Sequence, residues 1–262
     1  MRENDRYITV PCELFKGFAS SPEKRRECIN NVFDYALYIA YTECGNVKNA
    51  LEYLHFDNKT PENSINKGKK IADSIEGKCK FYVSIDELFE FRDNVKPFNL
   101  CVQFLAYHAL KSIQGNARYF HSTNGLWLAR MDGQDRPDYV PNYELDENGK
   151  EKEIINFKGL IIECRVLQRF MSKYKMSQLR EILHEYRKVS FYIPKAVSKK
   201  GTLYTTHGFF FSIKMTQEEL IREVEFNSTA KRLKKKGGLK NETEMILEKI
   251  RKEKEKGNAN KS

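Results

Sequence analysis

Residues able to do covalent or metal chemistry are present in this sequence, but they do not gather. Asp86, Glu87 and Glu90 fall close enough on one helical segment to hold a divalent cation, and they suit the charged face of a surface helix with less assumption. Tyr204, Thr205, Thr206 and His207 place hydroxyls beside an imidazole, without a partner base or oxyanion site that would complete a mechanism. His55, His108, His121, His184 and His207 stand alone, with no His-x-His or His-Glu-x-x-His pair. His108 falls in an apolar stretch, where a hydrogen-bonded core position is expected. A G-x-x-x-x-G-K-S/T loop and a G-x-G-x-x-G turn are both missing. The expectation is a chain without catalysis, cofactor or bound metal. The enzymatic alternative is a metal-dependent nuclease whose carboxylates escape recognition.

Residues suited to phosphates and base edges are better organised. Asn66, Lys67, Lys69 and Lys70 share the outer face of one helical stretch. Gln178, Arg180, His184 and Lys188 lie along another that starts at Ser177, beside Glu181 and Glu185. A carboxylate repels phosphate, although it can accept from cytosine in the major groove. Lys195, Lys199 and Lys200 follow in a Gly-containing loop. The formal charge of the 262-residue chain is +10, and +7 of it lies in 227–262, so the body is close to neutral. Any nucleic-acid surface on the body is then a local patch, while the tail adds salt-sensitive attraction to polyanions.

The elements that must position these residues are legible as periodicities and caps. Arg6 to Phe15 alternates as a short strand or arm, and Ser21-Pro22 opens a helix to Glu43 with Ile29, Val32, Phe33, Ala36, Leu37 and Ala40 on its inner face. Val47–His55 and the stretch from Thr60-Pro61 to Ile75 form a helix-turn-helix-like pair. Pro97–Ile113 is dense enough in apolar residues for a core helix, Ala117–His121 is a short extended segment, and Ser122 or Thr123 caps a helix to Gly133. Gln134 to Lys150 is polar with two prolines, a loop or hinge. Gly159 to Phe170 fits helix or strand, with helix favoured. Two β-like runs, Val189–Pro194 and Gly208–Lys214, bracket Lys195–His207 as a hairpin with a long tip, and Thr216 caps a last helix.

From Pro97 onward the order helix, strand, helix, linker, helix, strand, basic loop, strand resembles a winged helix. The pieces FLAYHALKSI, STNGLWLARMDG and HGFFFSIKM are similar to uncharacterised proteins of bacterial phages and mobile elements, and the whole resembles winged-helix, replication-initiator-like proteins of such elements. The resemblance spans 97–226 and implies a mainly α fold with a small β-hairpin, α+β in class. It implies that Ser177–Arg187 is a recognition helix reading the major groove, with Lys195, Lys199 and Lys200 on the wing. The expected organisation is a helical unit over 1–95, a winged-helix-like unit over 96–226 with an inserted loop at 134–150, and a basic solvated tail over 227–262. The expected function is DNA binding, as a replication initiator or a transcriptional regulator of a mobile element. Double-stranded DNA is the expected partner, and a homodimer is left open. The alternative is an RNA-binding or protein-interaction module that relies on the tail.

No stretch has the length and apolarity of a signal segment or membrane span, so a cytoplasmic protein without a membrane partner is expected. The six cysteines, Cys12, Cys28, Cys44, Cys79, Cys101 and Cys164, lie far apart without a Cys-x-x-Cys pair, and are expected as reduced, small apolar residues.

Overall fold

The computed structural model describes residues 6–54, 60–94, 96–139, 143–145, 151–153, 159–197, 203–205 and 208–235. Over these the chain is mainly helical with small antiparallel sheets, the α+β class expected from its patterning. No helix among the described residues is long and apolar enough to cross a membrane.

Strand β1 (Tyr7–Pro11) turns its alternate residues Ile8 and Val10 inward and passes through a short 3-10 turn, Cys12–Phe15, toward α1 (Pro22–Cys44). Ser21 caps α1 by accepting the amide proton of Lys24 at 3.1 Å, and Pro22 supplies the preset first turn. Helices α2 (Val47–Leu54) and α3 (Pro61–Ser74) pack against α1. The chain then returns as β2 (Lys80–Ser84), antiparallel to β1 with Tyr7 opposite Ser84 and Pro11 opposite Lys80. Ser84 caps α4 (Ile85–Asp93).

The β1–β2 pairing overturns the expectation that all six cysteines are separate thiols. It sets Cys12 against Cys79, with the Cys12 amide donating to the Cys79 carbonyl at 3.0 Å, and the two form a disulfide. They are 67 residues apart in sequence but 5.7 Å apart at Cα. Cys28, Cys44, Cys101 and Cys164 are free.

Helix α5 (Phe98–Gln114) is the central element. Cys101, Val102, Phe104, Leu105, Ala106, His108, Ala109 and Leu110 are all buried, which takes in most of its circumference. Phe104 lies 5.1 Å from Phe18, 4.9 Å from Phe91 and 5.7 Å from Phe15, centroid to centroid, and Phe15 in turn is 5.2 Å from Phe81. A single hydrophobic cluster therefore runs through the expected boundary near residue 95.

After α5 come β3 (Phe120–Ser122) and α6 (Asn124–Met131), capped by Thr123 on the amide of Leu126. Trp127 of α6 is fully buried, donates its indole N–H to the Ala106 carbonyl at 3.0 Å, and packs on Phe191 and Phe209. The segment expected as a hinge is held at its start. Asp132 is buried and accepts the amides of Glu163 and Cys164, and Asp135 accepts those of Lys78 and Cys79. Burial pushes the Asp132 carboxyl up, against those hydrogen bonds. Within the insert, β4 (Tyr143–Leu145) pairs with β5 (Glu151–Glu153), and Tyr139 forms a bridge to Leu160. The stretch left between helix and strand resolves into that bridge followed by the short α7 (Arg165–Gln168).

Helix α8 (Lys173–Arg187) leads into β6 (Ser190–Tyr192). The long tip contains a further hairpin, β7 (Lys195–Val197) on β8 (Leu203–Thr205). Gly208, at φ +91°, turns the chain back beside the Ser122 carbonyl, a conformation and a space that a side chain would not tolerate. The chain returns through β9 (Phe209–Ser212) to α9 (Gln217–Lys235). The three-stranded sheet has the order β3–β9–β6, with Phe211 opposite both Phe120 and Phe191. The Gln114 side chain ties it to α5, donating to the carbonyls of Ala117 and Arg118 and accepting from the Ile213 amide.

Candidate nucleic-acid interface

Helix α8 starts one turn earlier than expected. Ser172, not Ser177, caps it by accepting the Lys175 amide at 3.2 Å, because Met176 is fully buried and draws the preceding turn into the helix. Ser177 is thus a half-buried helical residue. Leu179 and Leu183 bury the inner face, while Lys175, Glu181, His184, Glu185 and Lys188 are exposed and Gln178 is half-buried. Gln178 donates its side-chain amide to the Tyr174 hydroxyl one turn back, at 3.0 Å. His184 Nδ1 lies 3.0 Å from the Val189 carbonyl; a carbonyl only accepts, so the proton sits on Nδ1. Lys188 ends the helix in the left-handed region at φ 55°, its amide on the Leu183 carbonyl.

Arg180 departs from its expected role at a base edge. It is buried, donates to Asn124 Oδ1 at 2.9 Å and lies over the Phe209 ring at 5.3 Å. Its guanidinium joins α8 to α6 and β9, so it faces the interior instead of a duplex. Lys195 stands on β7, opposite Thr205; Lys199 and Lys200 lie outside the described residues. Between α5 and α8 lies a groove of about 460 Å³ lined by Phe98, Val102, Arg169, Lys175, Gln178 and Glu181, among others.

The other candidate face is on α3. Asn66, Lys67 and Lys70 are exposed there, and Lys69 with them. Lys67 lies near Asp34 of α1, whose carboxyl is raised by burial and drawn back by Ser64 and Lys67.

The carboxylates considered for metal binding are individually committed. Asp86 pairs with Arg6 at 3.3 Å, Glu90 with Lys96 at 3.4 Å, and Glu87 with Arg187 at 2.6 Å. Glu87 is not the solvated helix-face residue its spacing suggests, because its second oxygen lies 3.4 Å from His108 Nε2. Burial acts to raise the Glu87 carboxyl, but the hydrogen bond from His108 and the Arg187 guanidinium outweigh it and hold the group at about 2. Burial also pushes the His108 imidazole below its ordinary value, against the pull of Glu87. His108 is thus the hydrogen-bonded core residue expected of it. The network joins α4, α5 and the C-terminal end of α8, and the sequence offers no local sign of Arg187's part in it. Among the described residues, the set of side chains spaced closely enough for a shared ion is Cys12, Cys79 and Asp135. There the two sulfurs are bonded to each other and Asp135 accepts backbone amides. Of the hydroxyl run beside His207, Tyr204 and Thr205 lie on β8, while Thr206 and His207 fall outside the described residues.

Comparison of the chain with protein-family models, curated proteins and solved structures yields no match.

Proposed function

We propose that this chain is a duplex-DNA-binding protein of the winged-helix type that serves a mobile element as replication initiator or transcriptional regulator. In this reading α8 enters the major groove and the β6–β9 hairpin, extended by β7 and β8, reaches the neighbouring backbone. The observation that carries the reading is topological. Helix α5, strand β3, helix α6, helix α8 and the β6–β9 hairpin come in that order, with β4, β5 and α7 inserted between α6 and α8, and β9 lies between β3 and β6 in the sheet. That order is the one winged-helix domains use, and it sets α8 immediately before the hairpin. The base-reading set is Ser177, Gln178 and His184, with Lys188, Lys195, Lys199 and Lys200 on phosphates; Arg180 belongs to the scaffold.

The test is binding of duplex DNA, duplex RNA and single strands at two salt concentrations, with a magnesium cleavage control. Combined replacement of Lys195, Lys199 and Lys200 by Ala is expected to weaken every duplex alike and to flatten log K against log salt by about one for each phosphate that a lysine no longer neutralises. Gln178→Ala is expected to lose about 1–3 kcal/mol on a selected site and much less on random DNA. Preference for duplex RNA, or an unchanged salt slope in the triple variant, would overturn the assignment.

A further inference from the structure

The two-stranded β1–β2 sheet lies outside the proposed duplex interface, and its outer face has an unusual composition. Strand alternation buries Ile8, Val10, Phe81 and Val83 and turns Tyr7, Thr9, Lys80 and Tyr82 the other way. This outer set contains no aliphatic side chain. Tyr7 and Tyr82 stack at 4.8 Å with 12° between their planes, and Tyr82 is still 43% exposed. Lys111 extends from α5 so that its ammonium lies 4.4 Å from the Tyr82 centroid and 5.2 Å from that of Tyr7. It also donates to the Tyr82 carbonyl at 3.3 Å, which fixes the cation beside the rings. Asp86 and Glu87, which follow β2 directly, are already paired with Arg6 and Arg187. Both acids make their ion pairs with other side chains, although the Glu87 charge also acts on the half-buried Lys111, against the burial that lowers its ammonium.

We infer that this face binds single-stranded nucleic acid, with an unpaired base stacked on the Tyr7–Tyr82 pair and the adjoining phosphates on Lys80 and Lys111. The chemistry selects that partner over others. A protein strand or helix docking here would need apolar side chains to bury, and the face presents none beyond the two rings. Every nucleobase has a π-face that stacks on an aromatic ring, whatever its sequence, and brings an anionic phosphate within reach of a neighbouring cation. In a duplex those faces are already stacked on their neighbours, so the platform discriminates in favour of unpaired strands. The site is independent of α8 and the wing, because none of its residues lies on those elements.

The experiment is fluorescence anisotropy of the full chain with end-labelled oligo-dT and oligo-rU of about twelve nucleotides, a length within the range one small binding site covers. Tyr82→Leu keeps bulk on an exposed strand position and removes the π-face, so its melting temperature is expected to match wild type. Its affinity for the single strand is expected to fall about tenfold, as loss of one stacked base implies. Tyr82→Phe, which retains the ring, is expected to bind within about twofold of wild type, as stacking alone requires. Combined Lys80→Ala and Lys111→Ala should lower the salt slope on the same oligomers. Loss in Tyr82→Leu with rescue by Phe, on either sugar, supports the platform. Wild-type binding by Tyr82→Leu, equal loss in Leu and Phe, or no binding of either oligomer by the native chain overturns it. The wing triple variant keeps its single-strand affinity if the platform is real, so failure of the duplex reading and failure of this one give different patterns.

Discussion

Helices α3 and α8 have similar lengths, 14 and 15 residues, and each turns polar side chains outward from an amphipathic body. They are supported differently. Helix α3 is seated on α1 at the small residue Gly68, where an added Cβ would run into the Asp34 carbonyl and the Tyr38 side chain. Its exposed Asn66, Lys67 and Lys70 thus ride on a close helix–helix contact with α1. Helix α8 is gripped at three points of different chemistry. Leu179 and Leu183 bury its inner face, Arg180 reaches Asn124 and Phe209, and Arg187 is paired with Glu87. It then leads into β6, one strand of the β6–β9 hairpin. A lysine-bearing helix face is common on any surface. Under the proposed duplex-binding reading, a helix held at several points and leading directly into a β-hairpin suits groove reading better than a lysine-bearing face alone, which is why that reading assigns the role to α8 and not to α3.

The comparison is most severely tested by loosening α8. Glu87→Ala leaves Arg187 and the buried His108 without their acceptor and is expected to cost about 3 kcal/mol in chemical denaturation, the low end for a buried pair because Arg187 is 34% exposed. The same carboxyl sets an acid limb. It titrates at about 2 in the folded chain against an ordinary 4.5, so its contribution is complete above about 4.5 and is lost as pH falls toward 2. Glu87→Gln should flatten stability against pH across that window. An unaltered acid limb would show that the Glu87–Arg187 pair does not secure α8.

A smaller effect is expected from the other helix. Gly68→Ala forces a methyl group against the α1 backbone and should destabilise by about 1–3 kcal/mol, the usual cost of overpacking. Thermal melting measures that cost. The folded fraction should still bind duplex DNA like wild type, and a lost duplex affinity with intact folding would return the reading role to α3.

The smallest change is the most decisive about function. Combined Asn66→Ala, Lys67→Ala and Lys70→Ala removes exposed side chains, so stability should move within about ±0.5 kcal/mol and duplex affinity within roughly twofold. Titration of the triple variant with labelled duplex sharpens the comparison if it binds normally. If it abolishes binding while the wing variant is silent, the assignment of α8 fails.

The amino-acid sequence determined the features that depend on neighbours within a turn or a strand. Ser21-Pro22 caps where its spacing predicts, Thr123 is the one of the two candidates Ser122 and Thr123 that caps α6, the apolar stripe of α1 is the buried one, and the β-like runs near 190 and 209 become β6 and β9. The α5 stretch, apolar around its circumference, could only be a core helix, and His108 within it had to find a hydrogen-bond partner. Where two local signals competed, the local rule was not enough. Ser172 and Ser177 both precede amphipathic residues, and the burial of Met176 decided for the first. Tertiary structure alone decided which distant residues meet. Cys12 finds Cys79 across 67 residues because β1 and β2 pair, Arg180 turns inward because Asn124 and Phe209 offer its guanidinium a lined pocket, and Glu87 meets Arg187 one hundred residues away. Capping and periodicity act over a few residues and leave a trace in the order of the letters. An ion pair or disulfide depends on the path by which the chain returns, and that path is set by the packing of the whole core.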